Sequence, residues 1–429
     1  MNNSTATIRP RRIGFVSTRF STTDGVSLET EKWAQVFRGL GHQLFYFAGL
    51  SDRPDEISYV TPEAHFDHPD VREISDTAYM FSIRPVEVTH RIHQLRSHLK
   101  QHLYAFIKRF DIEVLVVENA LSIPMNIPLG LALTELIAET GISTIGHHHD
   151  FSWERQRFLV NCINDYLEMA FPPHLPTIKH VVINSLAASE IARRKGIAAS
   201  VIPNVMDFDN PPAPPDDYCS SLRADLKIGP EEYFFLQPTR IVRRKGIEHA
   251  IELVKRLGWK AQLVISHPSG DEGDDYEEHV RTIANMFGVN VIFSSNIIGV
   301  TRGITPGGRK IYSLEDIYPF ADLVTYPSLL EGFGNAFLEA VYFRKPLVVN
   351  NYTIYATDIR PKGFKAIEFD GFITDDTIDD VRELLTSPEL VQEMTEHNYK
   401  LAKKFFSYSA LQQQLESLLS SFFGEENGG

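Results

Sequence analysis

The sequence predicts an α/β protein built from two doubly wound parallel-sheet domains. Three observations predict it. Short apolar runs, each about as long as one buried strand, alternate with longer amphipathic stretches. The alternation breaks once, in an acidic, proline-rich segment near the middle. About 200 residues lie on either side of that break, the size of one domain.

In chain order, the first half reads as strands at 13–17, 43–47, 113–117, 143–146 and 181–183. The second half reads as strands at 234–237, 261–265, 291–293, 323–326 and 347–350. These runs are mostly apolar rather than alternating with polar residues, as strands covered on both faces require. Apolar residues at helical spacing fill the intervals 28–40, 88–110, 247–257, 275–287 and 337–343. A last amphipathic helix is expected over 408–422. Pro211, Pro212, Pro214 and Pro215 stand among acidic residues, a composition that cannot sit inside a sheet. The expected organisation is a domain over 1–205, a connection over 206–230 and a domain over 231–407, with the segment 408–429 packing back on the first domain. Two such domains side by side form a cleft. Ligands of this architecture bind outside the carboxyl ends of the strands.

Composition narrows the function. With 43% apolar and 23% charged residues among 429, the chain is too apolar for disorder and too charged for a membrane bundle. Acidic residues outnumber basic ones by 56 to 42, giving a formal charge of −14. Nucleic acid and anionic membranes both select basic surfaces, so neither is an expected partner. Two cysteines, Cys162 and Cys219, exclude a disulfide framework and fit a reducing compartment. Residues 1–12 are polar and no apolar h-region of signal-peptide length follows them, so no signal peptide is expected. The most apolar segment, 120–133, is short for a membrane span and contains Pro124, Asn126 and Pro128. The expected location is the cytosol, without stable membrane insertion. The oligomeric state is not legible.

Two strand-to-helix segments carry the chemistry. In Ser328-Leu329-Leu330-Glu331-Gly332-Phe333-Gly334-Asn335-Ala336-Phe337-Leu338-Glu339, the glycines let the backbone approach a ligand and the next helix offers free N–H groups to a phosphate. Glu331 and Glu339 can accept from paired hydroxyls of a sugar and a ribose. The same residues also describe a glycine turn with two solvated glutamates. In Gln237-Pro238-Thr239-Arg240-Ile241-Val242-Arg243-Arg244-Lys245-Gly246, four cations fall within six residues of an acidic chain. Arg240 and Lys245 flank a short loop and can meet one diphosphate from two directions. Arg243 and Arg244 also fit a merely solvated basic turn.

Together these segments resemble the donor site of retaining glycosyltransferases of family 4, which have the GT-B fold of two Rossmann-like domains facing a cleft. Thr239-Arg240 through Lys245-Gly246 is similar to the family's Arg…Lys-Gly element, and Glu331 to Glu339 to its E-x7-E element. Val201-Ile202-Pro203-Asn204-Val205 resembles the strand end before its interdomain linker, and Thr23-Asp24-Gly25-Val26-Ser27 its N-terminal glycine loop. Asn335-Ala336 departs from the Leu-Pro of many members. The resemblance implies that Arg240 and Lys245 hold the donor diphosphate, Glu331 the transferred sugar and Glu339 the ribose. Gly332, Phe333, Gly334 and Asn335 complete the donor loop, and amides near Gly334, Asn335 and Gly25 assist the phosphates. The donor then belongs to the second domain and the acceptor to the first. The co-substrate is a nucleoside-diphosphate sugar, with GDP-mannose preferred over UDP-glucose. No tightly bound cofactor or metal is expected.

A third segment, Gly146-His147-His148-His149-Asp150, ends a predicted strand. Adjacent strand residues alternate faces, so His147 and His149 point one way and His148 the other. A zinc site needs a further ligand, and no cysteine or E-x-x-H helper lies nearby in sequence. The family places a histidine at this strand end near the transferred sugar; His149, beside Asp150, is the first choice and His148 the second. A capping histidine is the plainer reading. Asp150, Trp153, Arg155, Asn204 and Arg19 are the expected acceptor contacts, with Arg157 as a further anchor for an anionic acceptor.

Some motifs mislead or are missing. Asp207-Phe208-Asp209 spells the D-x-D of metal-dependent transferases but lies in the proline-rich connection. Asp316 and Tyr318 read as a helix cap and a packing residue. No G-x-G-x-x-G or P-loop occurs. The N-terminal text 15–29 resembles enzymes that mannosylate glucosylglycerate-type compatible solutes. The expected activity is therefore metal-independent, retaining hexosyl transfer to a small soluble acceptor. The rivals are a sugar-nucleotide epimerase or phosphorylase on the same fold, and a non-catalytic sugar-nucleotide binder.

Overall fold

The computed structural model describes residues 9–21, 25–269 and 275–424. Thr23 and Asp24 of the expected glycine loop lie outside the described residues. The chain forms two compact units, one of residues 1–204 with 408–429 and one of residues 205–407.

The first unit holds a seven-stranded sheet of β1 (Arg12–Val16), β2 (Gln43–Ala48), β3 (Ser58–Val60), β4 (Val114–Glu118), β5 (Ser143–His148), β6 (Ile178–Val182) and β7 (Ala199–Val201). The order is β3-β2-β1-β4-β5-β6-β7, and neighbouring strands run parallel. All five residues of β4 are buried, which is why a central strand reads as an unbroken apolar run. The apolar segment around residues 127–133 becomes a core helix, Ile127–Thr140. Asn126 caps its start by accepting from the Leu129 amide, and Gly141 ends it in the left-handed conformation at φ 65°. Among the described residues, no helix is long and apolar enough to cross a membrane. Helix Tyr408–Phe423 belongs to this unit, and Phe423 packs under the Arg11 guanidinium at 3.8 Å.

The second unit holds β8 (Tyr233–Gln237), β9 (Ala261–Ile265), β10 (Val291–Phe293), β13 (Leu323–Tyr326), β14 (Leu347–Asn350) and β15 (Ile367–Phe369), with a small hairpin of β11 (Gly303–Ile304) and β12 (Lys310–Ile311). The six-stranded order is β10-β9-β8-β13-β14-β15, again parallel. Helix Ile247–Leu257 buries Ile247, Ile251 and Val254 against it.

The strands and helices expected from the periodicity are found to within a few residues; helices that were not expected, such as Pro69–Met80 and Pro388–Phe406, are present as well, and so are the short strands β3, β7 and β15. Each of these has three residues, too few to show a pattern. Residues 206–230, expected as the interdomain connection, are held by contacts within the second unit. Phe208 is fully buried between the rings of Tyr342 and Tyr399. Arg302 reaches both carboxylate oxygens of Asp216, at 2.6 and 3.1 Å, and also pairs with Asp316. The Tyr218 hydroxyl donates to the carbonyls of Gly303 and Ile311.

This packing predicts the behaviour of an Arg302→Met variant. Limited proteolysis should cut it faster than the parent within residues 209–218, with the fold retained. Equal cleavage rates would show that Arg302 does not pin the segment.

Candidate active site

In the second unit, two loops leave the carboxyl ends of neighbouring strands and are bonded to each other. The loop after β8 carries Arg240 and Lys245; the loop after β13 carries Glu331 to Gly334. The strand ends are locked by Thr325, whose hydroxyl donates to Gln237 Oε1 at 2.7 Å, and by Gln237, which donates to Thr239 at 2.8 Å. The Leu329 amide donates to the Arg244 carbonyl at 2.8 Å and joins the loops. Gly246 turns the first loop at φ 55°, and a Cβ there would stand 2.6 Å from the Pro327 carbonyl oxygen. Only glycine meets both conditions.

This scaffold brings Lys245 Nζ into direct contact with Glu331 Oε1, while Arg244 Nη1 reaches Glu331 Oε2 at 3.1 Å. Both partners of the first pair are about nine-tenths buried. Burial raises the Glu331 carboxyl, but the charges of Lys245 and then Arg244 override it and hold the group below its ordinary range. Burial lowers Lys245, and the nearby guanidiniums of Arg244 and Arg240 add to this against the pull of Glu331. His267, after β9, is pushed down to about 4 by burial and by the charges of Lys245 and Arg240. Lys245, Arg240 and His267 therefore share one electrostatic neighbourhood, in which Arg240 stays exposed.

Gly334 starts helix Asn335–Tyr342 at φ 131°, and a Cβ there would lie 2.4 Å from the Tyr352 hydroxyl. That hydroxyl donates to the Phe333 carbonyl at 2.8 Å, so the loop after β13 is fixed from beneath. Phe333 is buried against Phe406, and Gly332 is exposed. Glu339 lies within the helix, where the fully buried Tyr318 donates to its Oε2 at 2.8 Å. Tyr318 is thus more than a packing residue. Asp316 caps its helix as expected, accepting from the Ser313 amide at 2.8 Å.

In the first unit, the carboxyl ends of β4 and β5 form a second array. Glu118 has no exposed side-chain surface. Its Oε2 lies 2.9 Å from His147 Nδ1 and 3.2 Å from His149 Nε2. His147 stacks on Trp33 with ring centroids 4.1 Å apart. His148 points to the opposite face, fully buried, and its Nε2 lies 2.8 Å from His180 Nδ1. Of the two expected histidines, then, only His149 stands on the partly exposed side; the pleat of β5 sets His148 into the core. Burial raises Glu118, but the imidazoles of His147 and His149 override it and hold the carboxyl at about 2. Burial keeps His147 below its ordinary value. Burial also lowers His149, but the hydrogen bond and charge of Glu118, with Glu29 and Asp150 beyond, raise it above 6.5.

The expected acceptor residues each make local contacts. Asp150 pairs with Arg155, and Arg157 lies over Phe158. Trp153 stacks on Phe151 at 4.4 Å and is covered by Arg194. Arg19 lies over Phe66, and Asn204 is buried at the end of the unit. Gly25 opens helix Gly25–Gly39, with open space around its Cβ position. Asp207 accepts from Asn210, and Asp209 stands 3.8 Å from Lys403. Sequence reading missed Glu118, Tyr318's bond to Glu339 and His267. Each lies more than 20 residues along the chain from its partner, and only the fold brings the two together.

Among the described residues, two sets place metal-type ligand atoms within 4.8 Å: Glu118, His147 and His149, and Asp216, Cys219 and Asp316. In the second set Arg302 occupies both carboxylates. In the first, the 2.9 Å contact of Glu118 with His147 is closer than the roughly 3.3 Å between ligands of a tetrahedral zinc with bonds of about 2.0–2.1 Å. We read it as an array of direct carboxylate–imidazole contacts.

Fold and sites define a glycosyltransferase of the GT-B type. The chain belongs to the group 1 glycosyltransferases: that family, described as "Glycosyl transferases group 1", matches residues 304–401. The chain is 30% identical to the mannosylglucosylglycerate synthase of Thermotoga maritima, over 95% of this chain and 99% of that one. It is 33% identical to the enzyme of the same name from Petrotoga mobilis, over 83% of this chain and 86% of that one. In fold it is similar to a glycosyltransferase from Rickettsia africae, with a TM-score of 0.69 at 13% identity over 98% and 100% of the two chains. It is also similar to Anabaena HepE solved with UDP-glucose, with a TM-score of 0.63 at 12% identity over 96% and 100%.

The array in the first unit has a pH signature. Glu118 lies below its ordinary 4.5, so its stabilising contribution is complete above 4.5 and fades as pH falls toward about 2. His149 lies above its ordinary 6.5, so its contribution is complete below 6.5 and is lost as pH rises through the folded-state value. A double-mutant cycle with Glu118→Gln and His149→Asn, followed by denaturant unfolding, should give its largest coupling between 4.5 and 6.5. A coupling that is flat from about pH 4 to about pH 8 would contradict the array.

Proposed function

We propose that this protein transfers a hexose from a nucleoside-diphosphate sugar to a small soluble acceptor, with retention and without a metal. The observation that carries the reading is the buried contact of Lys245 with Glu331, joined by Arg244 and flanked by Arg240. A lysine and an arginine beside a carboxylate suit a ligand that is anionic at one end and polyhydroxylic at the other. In this reading, Arg240 and Lys245 hold the diphosphate and Glu331 the hydroxyls of the transferred sugar. Glu339 holds the ribose, and the amides at Gly334 and Asn335 add phosphate contacts.

As the glycosidic bond to the diphosphate breaks, the leaving phosphate gains negative charge. Fixed cations that are already in place stabilise it without reorganisation. The departing phosphate accepts the proton of the acceptor hydroxyl on the same face, which gives retention as the family 4 resemblance implies. His149 is proposed as a further contact to a substrate hydroxyl. Two relatives named as mannosylglucosylglycerate synthases support a mannosyl group as the hexose and a glucosylglycerate-type acceptor; GDP-mannose is the donor we propose for it. The cytosol, where both substrates are soluble, is the proposed location.

The purified protein should form a hexosylated product from GDP-mannose and glucosylglycerate, read by mass spectrometry. UDP-glucose and ADP-glucose serve as competing donors. Lys245→Ala and Arg240→Ala should each lower kcat by about 10² or more. Absence of product with glycerate-derived acceptors would remove the acceptor assignment. Near-normal turnover in both variants would remove the assignment of the diphosphate site.

A further inference from the structure

We infer that Glu118 is a positioning residue that fixes the imidazole of His149, so that its Nδ1 is the ring atom presented to substrate. This rests on the reading of His149 as a sugar contact.

Four observations lead there. First, Glu118 is a carboxylate with no exposed surface, a placement that is costly unless the charge is paired. Its chain neighbours offer no such partner; the pairing comes from the next strand, where Glu118 is in register with His147. Second, His149 is held twice from the end of β4. Its ring Nε2 lies 3.2 Å from Glu118 Oε2, and its backbone amide donates to Asn119 Oδ1 at 2.8 Å. Asn119 is itself turned into the left-handed region at φ 57° and donates to Asp150 at 3.3 Å. Third, an ionised carboxylate can only accept, so the proton of this contact sits on Nε2. His149 Nδ1 makes no hydrogen bond among the described residues, and the side chain is 11% exposed. Fourth, His147 fills the other side of the same carboxylate oxygen while stacked on Trp33, which stops the carboxylate from swinging away.

The charged and titratable groups that face His149 are Glu118 from β4, Glu29 from helix Gly25–Gly39, His147 from its own strand and Asp150 beside it. Three of the four are acids, so the surroundings favour the imidazolium. Nδ1 then accepts from a sugar hydroxyl when the ring is neutral and donates when it is charged.

The test uses the full-length protein with isotope-labelled histidine, the His149 signal being assigned by its loss in His149→Asn. In the parent protein, ring nitrogen shifts should report the Nε2–H tautomer for the neutral ring and a titration midpoint above 6.5. In Glu118→Gln the midpoint should fall and the single tautomer be lost. Transfer should slow by about 10- to 100-fold in kcat, while KM for the sugar nucleotide stays within about twofold. An Nδ1–H tautomer or a midpoint at or below 6.5 in the parent overturns the inference, and needs no folded variant. A kcat loss in Glu118→Gln without change in the His149 ring overturns it as well. The ring measurement needs no substrate, so failure to find any transfer would count against the proposed function and not against this arrangement.

Discussion

The ion pair between Lys245 and Glu331 is the interaction on which the proposed chemistry of the second unit depends. Both groups are almost withdrawn from water; removing Glu331 leaves Lys245 as a buried charge without its carboxylate, and removing Lys245 leaves Glu331 with Arg244 alone. A buried pair of this kind is a poor way to gain stability, since apolar side chains of similar volume often do as well. Its value is chemical. The pair keeps a cation and a carboxylate desolvated, side by side and already oriented, in a place where electrostatic interactions are strong. The surrounding devices serve that end: the glycine turn at Gly246, the amide link from Leu329 to the Arg244 carbonyl, and the brace from Tyr352 to the Phe333 carbonyl.

The first unit solves a related problem with different side chains. A parallel sheet delivers its functional residues at the carboxyl edge, and the pleat decides which of three consecutive histidines reaches that edge. His148 goes into the core and pairs with His180, whereas His147 and His149 meet Glu118. In both units a buried carboxylate on one strand end or loop is matched with cations or imidazoles from the neighbouring strand's end. Sheet order therefore creates the sites, since the partners lie 31 residues apart in one case and 86 in the other.

That separation also explains what the sequence could show. Strands such as 261–265 and 323–326 and helices such as 247–257 were legible because buried parallel strands are mostly apolar and surface helices repeat every three to four residues. Arg240, Lys245, Glu331 and Glu339 were legible because their loops carry local glycine and charge signals. Glu118 was not, because a glutamate ending an apolar run looks like any solvated strand end until its neighbour in the sheet is known. Tyr318 and His267 were hidden for the same reason. The segment 206–230 looked like a free connection because prolines and acids report backbone preference. They do not report that Arg302 holds Asp216, or that Phe208 fills a slot between Tyr342 and Tyr399.

The central claim is that Lys245 and Glu331 divide one ligand between them, the cation taking its phosphates and the acid its sugar. Calorimetric binding of GDP and of GDP-mannose to the parent, Lys245→Met and Glu331→Gln proteins tests this directly. The account predicts that Lys245→Met weakens both ligands. Glu331→Gln should weaken GDP-mannose while leaving GDP as tight as before or tighter, because an anion competing for Lys245 has gone. Equal losses for GDP and GDP-mannose in Glu331→Gln, or unchanged GDP binding in Lys245→Met, would contradict it.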